Sequence, residues 1–365
     1  MLGVSWLLDG AAPVHAMLCS YSTHANITIS YNLGATAGVM LAVQILSGVI
    51  IAMSYVASAD YAFPTLDAAL RDTTYGWCLR GAHSNCASAV FAFMYLHACR
   101  AWLFSAMSRV HATVWIAGLL TWLLMMGIAF MGYVLPWGLM SYWALTVITN
   151  LMTVVPCIGV DVLCYCWGGY FITTITVQRM FTVHFLLPFV VLAAVMAHLL
   201  CLHYMGSSSA STSPGTAVDA DAFLMYYYKD VYVLGVFVAL AGCVIVMYPD
   251  TLHHPDNFCY VDRYVTPKHI VPEWYFLPFY SMLRACSIKV VGVALLGCAI
   301  LTYVFMCLVA GLYTHSRGAH AYADASLHVS ALLVLGVLGQ CAPVFPFVDV
   351  SGVLTVLVMM VHVLA

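Results

Sequence analysis

Two stretches of fifteen residues decide the fold of this chain: HSNCASAVFAFMYLH, from His83 to His97, and HFLLPFVVLAAVMAH, from His184 to His198. Each begins and ends with a histidine and is otherwise largely apolar. Fourteen residues make nearly four helical turns, so the two histidines of a stretch point the same way, about 21 Å apart along the axis. Two such helices side by side would offer two facing histidine couples, one near each side of a membrane. This geometry suits two stacked haems with two axial imidazoles each.

The composition supports a membrane protein. Of 365 residues, 64% are hydrophobic and only 7% are charged, with a mean hydropathy of +0.99. A soluble domain carries about a quarter charged residues. Long intervals without any charged residue predict about eight transmembrane helices in an all-α fold, four of them forming a bundle around the haems. The predicted helices are 32–54, 77–104, 112–134, 172–204, 224–247, 288–310, 323–342 and a short one at 349–364.

Charge and cysteine content exclude several other classes. The net charge of −3 gives no indication of nucleic-acid binding, and the fourteen cysteines show no spacing typical of a disulfide framework. No Lys or Arg occurs before Arg71, so the chain lacks the basic residues of a secretory signal or a transit peptide. We expect a chain that is either made inside an organelle or inserted directly by its own spans.

The chain divides into segments of different polarity. Residues 1–31 form a lead-in, 32–204 form the histidine-bearing bundle, and 205–223 form a polar linker containing GSSSASTSPG. Residues 224–365 form a second helical half. Two stretches are not predicted to cross the membrane. Residues 136–171 indicate short helices along the membrane surface, and the proline-rich stretch 249–287 indicates a functional loop.

The histidines could instead have a purely structural role. A lone histidine in an apolar helix is more often a hydrogen-bonded core residue than a ligand. His97 and His111 are also fourteen apart, but a polar break at 105–109 separates them. Two pairs within two spans, made parallel by an intervening span, favour ligation.

Glycines repeat the same spacing. Gly34 and Gly48 are fourteen apart in the first predicted span, and Gly118 and Gly132 are fourteen apart in the third. Small residues also serve ordinary helix packing in membranes. Their shared period with the histidines favours close approach of the backbone to a haem edge.

Arginines lie about one turn beyond the histidines. Arg80 precedes His83 and Arg100 follows His97 by three residues, while Arg179 precedes His184 by five. They are placed to meet outward-pointing haem propionates. Snorkelling to the membrane interface is the alternative, and the two roles are compatible.

Several strings make the chain resemble the cytochrome b family, the haem subunit of mitochondrial ubiquinol–cytochrome c reductase (complex III). The resemblance runs from about residue 31 to about 345. It rests on GYVLPWG at 132–138, SYW at 141–143, VITNL at 147–151, HFLLPF at 184–189, PDNF at 255–258 and HIVPEWYFLP at 269–278. One chain carries both the histidine half and the Pro-Glu-Trp-Tyr half, which favours the respiratory form over photosynthetic relatives.

The resemblance implies ligand pairs and an orientation. His83 and His184 would hold the low-potential haem near the intermembrane space, and His97 and His198 the high-potential haem near the matrix. The N-terminus would lie in the matrix. The few Lys and Arg residues do not settle the orientation.

The resemblance also implies two quinone sites. Ubiquinol would be oxidised at an outer site involving Tyr133, Glu273, Phe276 and Tyr280, with the surface helix around Ala144. A carboxylate beside Trp274 can accept a proton from quinol. A solvated charge on an interfacial helix is the alternative. Ala144 stands where the family usually has glycine, so we expect weaker binding of methoxyacrylate-type inhibitors with turnover retained.

At the inner site quinone would be reduced, with His203, Lys229 and Asp230 as the implied residues. A histidine and an acid at an aqueous edge make a sensible proton relay. A surface ion pair at the start of a helix is the alternative.

Partners and location follow from the resemblance alone. It implies a Rieske iron–sulfur protein, a c-type cytochrome subunit, other complex III subunits, lipids and a homodimer of the complex, in the mitochondrial inner membrane and with an organelle-encoded chain. Two other classes compete. A di-haem anchor subunit of a dehydrogenase would lack the Pro-Glu-Trp-Tyr loop, and a proton-relaying transporter should carry acidic residues within its spans.

Overall fold

The computed structural model describes residues 22–104, 111–208, 220–222, 224–309 and 319–364, and it is mostly helical. Most of the predicted linker 205–223 and most of the lead-in 1–31 lie outside these ranges. Where they are described, they hold two short strands, β1 (Ser22–His24) and β2 (Ala220–Ala222), which pair antiparallel. This small sheet is an addition to the predicted all-α fold. It ties the N-terminal segment to the connection between the two halves.

In the part of the first half that the structure describes, there are seven α-helices. Four are long: α1 (Leu33–Ala52), α3 (Gly76–Leu103), α4 (Ala112–Val134) and α7 (Thr174–Met205). Helix α1 packs most extensively on α3, and α4 on α7. These four helices confirm the predicted bundle, and each histidine stretch lies within one helix. Three shorter helices are α2 (Ala62–Asp72), α5 (Leu139–Asn150) and α6 (Gly159–Trp167). The last two occupy the predicted 136–171 segment, whereas α2 was not predicted.

The boundaries of α7 follow from local chemistry. Thr173 and Thr176 form a capping box, in which each side chain bonds the backbone of the other and satisfies the free N–H groups of the first turn. The helix ends at Gly206, whose φ of 79° ordinary residues rarely adopt. The histidines therefore lie on a helix with well-defined ends.

The second half contains α8 (Leu224–Met247), α9 (Leu277–Arg284), α10 (Lys289–Val309), α11 (Ala319–Gln340) and α12 (Phe347–Leu364). Within the described ranges, seven helices are long and apolar enough to cross a membrane. The predicted eighth span corresponds to α12, which belongs to the shorter apolar helices.

One arginine anchors the end of the segment between α8 and α10 on α11. Arg284, in the last turn of α9, donates hydrogen bonds from Nη2 to the carbonyl oxygens of Leu338 (3.1 Å), Gly339 (2.9 Å) and Cys341 (3.0 Å). These carbonyls end α11, where a cation is favourable because the helix dipole is negative there. This contact fixes the short helix that follows the Pro-Glu-Trp-Tyr sequence.

Candidate haem and quinone sites

The two histidine couples face each other across the bundle. The ring centres of His83 and His184 are 6.3 Å apart, and those of His97 and His198 are 6.4 Å apart. With a metal–nitrogen bond of about 2.0 Å and about 1.1 Å from nitrogen to ring centre, two axial imidazoles would have centres about 6.2 Å apart. Both couples therefore have the separation that a bis-histidine haem requires.

Hydrogen bonds to Nδ1 orient three of the four rings. His184 bonds the Ile128 carbonyl oxygen and His198 the Val114 carbonyl oxygen, each at 2.9 Å. His83 Nδ1 lies 3.0 Å from the Ser47 hydroxyl oxygen. With Nδ1 engaged as the donor, Nε2 is the nitrogen available to a metal. These contacts fix both the tautomer and the ring direction.

Each predicted glycine lies against one histidine ring of the neighbouring helix. A Cβ atom added at the glycine would lie 3.0 Å from the ring for Gly34 and His97, 2.9 Å for Gly48 and His83, 3.3 Å for Gly118 and His198, and 2.5 Å for Gly132 and His184. Real Cβ atoms almost never approach within 3.0 Å. The fourteen-residue spacing of the glycines thus matches that of the histidines because glycine makes room for the rings.

The three predicted arginines have aromatic neighbours. Arg80 lies 5.6 Å from the Phe258 ring centre, Arg100 lies 4.2 Å from that of Tyr31, and Arg179 lies 5.0 Å from that of Tyr165. Two of them keep buried polar atoms without a hydrogen bond, Nε of Arg100 and Nη1 of Arg179. Such orphaned donors are costly unless an anion meets them. They fit a role in holding carboxylates of a bound cofactor.

A cavity joins the couple of His83 and His184, called the outer couple after the side that the resemblance implies, to the Pro-Glu-Trp-Tyr loop; His97 and His198 are called the inner couple. Its lining includes His83, His184, Arg80, Tyr133 and Glu273. Burial raises the pKa of Glu273 to about 7, although the positive charge of Arg80 opposes this shift. A carboxyl group with this pKa can accept and release protons near neutral pH.

The aromatic residues beside Glu273 fix the loop on α3. The Tyr275 ring stacks on Phe91, with centres 4.1 Å apart, and its carbonyl oxygen accepts a 2.6 Å hydrogen bond from the Tyr95 hydroxyl. The indole of Trp274 donates to the Ser88 hydroxyl at 3.1 Å. Three contacts to one helix hold the loop, so the position of Glu273 is tightly defined.

The loop also contacts the start of α5. Asn257 Oδ1 accepts hydrogen bonds from the Ser141 backbone N–H (2.9 Å) and hydroxyl (2.8 Å). A Cβ atom at Gly138 would lie 2.3 Å from the Asn257 carbonyl oxygen. Only glycine allows this approach, which brings residues 255–258 close to Tyr133.

The other predicted outer-site residues lie around this cavity rather than on its wall. Phe276 packs against Phe91, with ring centres 6.3 Å apart. Tyr280 donates a 3.0 Å hydrogen bond to the Ile270 carbonyl oxygen and packs in one small cluster with Tyr133. Ala144 is buried in α5, at 5% exposure. These three residues surround the site without lining the cavity shared by Glu273 and the histidines.

At the other end of the bundle, the predicted inner-site residues contact the N-terminal segment. Lys229 donates a 2.8 Å hydrogen bond to the Ile27 carbonyl oxygen. Asp230 accepts one from the buried side chain of Asn32. His203 lies in the last turn of α7. The start of α8 is therefore joined to the residues that lead into α1.

Sequence reasoning missed several residues that line the outer cavity. They include His253, Ser84, Asn257 and Gln44. Gln44 donates to the His83 carbonyl oxygen at 2.5 Å. For Asn257 the signal in the sequence was the PDNF string at 255–258, on which the family resemblance partly rests.

Comparisons of the sequence with known proteins identify two matching families and several relatives. Residues 18–206 match the family described as Cytochrome b/b6/petB, and residues 260–359 match the family described as Cytochrome b(C-terminal)/b6/petD. "Cytochrome b" of Phytophthora megasperma is 37% identical over 92% of this chain and 88% of that protein. "Cytochrome b" of Rickettsia conorii is 39% identical over 95% and 89%. The corresponding protein of Dictyostelium discoideum is 41% identical over 78% and 74%.

A solved structure shares the fold. A chain of "Hyperthermophilic respiratory Complex III" superposes with a TM-score of 0.88, covering 99% of this chain and 97% of the other, at 24% identity. The similarity confirms the architecture of stacked transmembrane helices.

These matches define a class: a multi-pass membrane protein of electron transport that carries b-type haem. The chain belongs to the cytochrome b/b6 family. Family membership confirms the predicted class of enzyme, a subunit of a quinol–cytochrome c oxidoreductase, and disfavours the transporter. It implies b-type haem, which the histidine couples fit.

Proposed function

We propose that this chain is the electron-transfer core of a ubiquinol–cytochrome c reductase, complex III, that binds two b-type haems. The observation that carries the proposal is the pair of facing histidine couples, with ring centres 6.3 Å and 6.4 Å apart at two levels of one bundle. The levels are about 21 Å apart along α3, which is a large part of the thickness of a bilayer.

We assign each histidine couple to one haem and to one side of the membrane. His83 and His184 hold the low-potential haem on the outer side, and His97 and His198 hold the high-potential haem on the matrix side. When bound, the two haems supply a one-electron path between the two sides of the membrane. Arg80, Arg100 and Arg179 lie at the ends of the bundle, where they neutralise the propionates.

At the outer site, the chain binds ubiquinol and handles its protons. Oxidation of ubiquinol to ubiquinone releases two electrons and two protons. One electron leaves to a Rieske iron–sulfur protein and on to a c-type cytochrome subunit, and the other passes through the bundle. Glu273 accepts a proton in the cavity, and Tyr133, Phe276, Tyr280 and Ala144 shape the pocket for the ring.

At the inner site, the chain supplies protons to quinone as it is reduced. His203 and Asp230 lie at the edge of the bundle, where they can take protons from the aqueous side. Lys229 is held by the Ile27 carbonyl oxygen and gives the site a positive charge. Proton release on one side and uptake on the other, in a Q cycle, couple electron transfer to proton translocation.

The proposed setting is the mitochondrial inner membrane. The chain would work in a homodimeric complex with lipids, a Rieske protein, a c-type cytochrome and other complex III subunits. Support comes from relatives in Phytophthora and Dictyostelium, although the Rickettsia relatives are bacterial.

A redox titration of the purified complex tests the proposal. We expect two b-type components with separate midpoint potentials in reduced-minus-oxidised spectra. His83→Ala should remove the low-potential component and His97→Ala the high-potential one. The matched control is His111→Ala, because His111 is also fourteen residues from His97 but bonds the Gly206 carbonyl oxygen at 3.2 Å. A single component, or equal losses in both variants, would contradict the two-haem assignment.

A further inference from the structure

Arg284 of α9 contacts two different parts of the molecule with one side chain. Its Nη2 donates hydrogen bonds to three backbone carbonyl oxygens at the end of α11, at distances of 2.9 to 3.1 Å. Its Cζ atom lies 4.4 Å from the ring centre of Tyr280, which is within the range of a cation–π contact. Tyr280 is a proposed residue of the outer quinone site, whereas the proposed function gives Arg284 no role.

The end of α11 fixes the guanidinium group of Arg284. The last carbonyl groups of a helix have no partner within the helix, and a cation is favourable there because the helix dipole is negative at this end. Nη2 carries two hydrogens and meets three carbonyl oxygens, so at least one hydrogen is shared between two of them. A lysine ammonium could meet these oxygens, but the extended guanidinium can meet them and cover an aromatic ring at the same time.

Tyr280 is also held by the loop that precedes Glu273. Its hydroxyl donates to the Ile270 carbonyl oxygen at 3.0 Å. Its ring packs in the same small cluster as Tyr133, which lies on the cavity wall. Arg284 thus contacts the face of the ring and Ile270 contacts its hydroxyl, so the two contacts together set the direction of the ring.

The start of α9 rests on the same turn of α11. A Cβ atom added at Gly339 would overlap the Leu277 carbonyl oxygen, so this close approach requires glycine. About one turn earlier, a Cβ atom added at Gly336 would lie 3.7 Å from the Pro278 ring, which is ordinary van der Waals contact. Both ends of the short helix α9 are therefore placed by residues 338–341 at the end of α11.

We infer that Arg284 is a positioning residue of the outer quinone site, which together with Gly339 fixes the ring of Tyr280 relative to the end of α11. This inference rests on the proposed function. In this role Arg284 touches neither the substrate nor the reacting atoms. It acts through Tyr280, whose ring packs with Tyr133 beside the cavity.

The position of Glu273 does not depend on this contact. The neighbouring Trp274 and Tyr275 make hydrogen bonds with side chains of α3. Loss of the Arg284 guanidinium should therefore loosen the pocket around ubiquinol without moving the proton acceptor. A change that weakens the binding of substrate and transition state equally raises KM and leaves kcat unchanged.

The test measures KM and kcat for a short-chain ubiquinol in the intact complex. Arg284→Gln removes the guanidinium, and Arg284→Lys retains only a point charge. The matched control is Arg71→Gln, because Arg71 is exposed on α2 and pairs with Asp67 of its own helix. Both b-type spectral components serve as the check that each variant is assembled.

We expect Arg284→Gln to raise KM roughly five- to twentyfold and to change kcat less than about twofold. Arg284→Lys should raise KM by a smaller factor, and Arg71→Gln should leave it unchanged. A wild-type KM in Arg284→Gln, or a loss confined to kcat, would overturn the inference.

A double-mutant cycle with Tyr280→Leu shows whether Arg284 acts through Tyr280. Once the ring is absent there is nothing to position, so Arg284→Gln should raise KM less than about twofold in the Tyr280→Leu background. A merely structural role of Arg284 predicts instead that the two effects multiply, and that result would contradict the inference.

A pair of glycine variants tests the seat of α9 without changing the arginine. Gly339→Ala should raise KM in the same way as Arg284→Gln, because the methyl group displaces the start of α9, whereas Gly336→Ala should not. Equal KM values in the two glycine variants would overturn the inference. A wild-type complex that has both b-type components but does not reduce cytochrome c with ubiquinol would overturn the proposed function itself, and this inference with it.

Discussion

The outer and inner histidine couples lie on the same four helices, yet their surroundings differ. At the outer couple, Gly132 and Gly48 leave the least room, since an added Cβ atom would lie 2.5 Å and 2.9 Å from the histidine rings. The Ser47 hydroxyl holds His83 Nδ1 at 3.0 Å. The cavity beside this couple extends to Glu273 in the second half of the chain. At the outer end the glycine backbone thus approaches the rings closely, and the cavity beside them is shared between the two halves.

The inner couple has a looser setting. Added Cβ atoms at Gly34 and Gly118 would lie 3.0 Å and 3.3 Å from the rings, and His97 Nδ1 is buried without a hydrogen bond. The nearby side chains of α8 contact the N-terminal segment, through Asn32 and Ile27. The inner end is therefore joined to the N-terminal segment and the start of α8 by contacts between residues that are distant in the chain.

This difference shows how one repeated pattern can serve two sites. The two couples, which the fourteen-residue spacing places at two levels, have nearly equal ring separations of 6.3 Å and 6.4 Å. The residues around each couple are not determined by the spacing. They decide how rigidly the rings are held and which groups can exchange protons or electrons with that end of the bundle. We expect substitutions at equivalent positions to have unequal effects at the two ends.

The largest expected effect is the difference between alanine substitutions at two glycines, Gly132 and Gly118. Gly132→Ala should abolish the outer b-type component, because a methyl group at 2.5 Å from His184 Cε1 displaces the ring. Gly118→Ala is the matched control on the same helix, and its methyl group at 3.3 Å from the His198 ring needs only a slight adjustment. The haem content per chain and the redox titration of both variants measure the effect. Equal retention of both components in Gly132→Ala would remove the steric explanation.

A second expected effect concerns Glu273, the acidic residue on the wall of the outer cavity. Burial raises the pKa of Glu273 to about 7, so its carboxylate form, the proton acceptor, becomes populated as the pH rises through this value. Turnover should rise over the same range in the wild type. Glu273→Gln should lower turnover about tenfold or more and flatten this dependence.

The control for Glu273→Gln is Asp262→Asn, because Asp262 is exposed and accepts a 2.8 Å hydrogen bond from the Tyr264 backbone within its own loop. Its pH profile should match the wild type. Reduction of the inner component through the inner site should be unchanged in both variants. A rise in rate through neutral pH that persists in Glu273→Gln would assign the proton acceptor to another group.

Much of this arrangement could be predicted from the sequence because it depends on local periodicity. The positions of the histidines and glycines on four helices follow from the spacing of fourteen, and charge-free intervals locate the spans. The sequence could not show that each glycine faces a histidine rather than a haem edge, because this depends on how α1 meets α3 and how α4 meets α7.

Most of the parts that the sequence did not predict depend on contacts between distant residues. Asn257 is 116 positions from its partner Ser141, and Asn32 is 198 positions from Asp230. The pairing of β1 with β2 joins the two ends of the first half in the same way. Helix α2 was not predicted for a different reason, since it is short and weakly apolar and lacks the long charge-free interval that indicates a span.

The smallest expected effect distinguishes the two couples through one hydroxyl. Ser47 donates its hydrogen to the Val43 carbonyl oxygen at 2.6 Å, so its oxygen accepts the N–H of His83 Nδ1. Such a bond makes the imidazole a stronger donor to the metal and favours the oxidised state. Ser47→Ala should therefore raise the midpoint potential of the outer component by a few tens of millivolts. The inner component should not move, because His97 Nδ1 has no such partner. Equal shifts in the two potentials, or a lower outer potential, would show that the hydroxyl does not tune His83, and the difference between the couples would then lie in their packing alone.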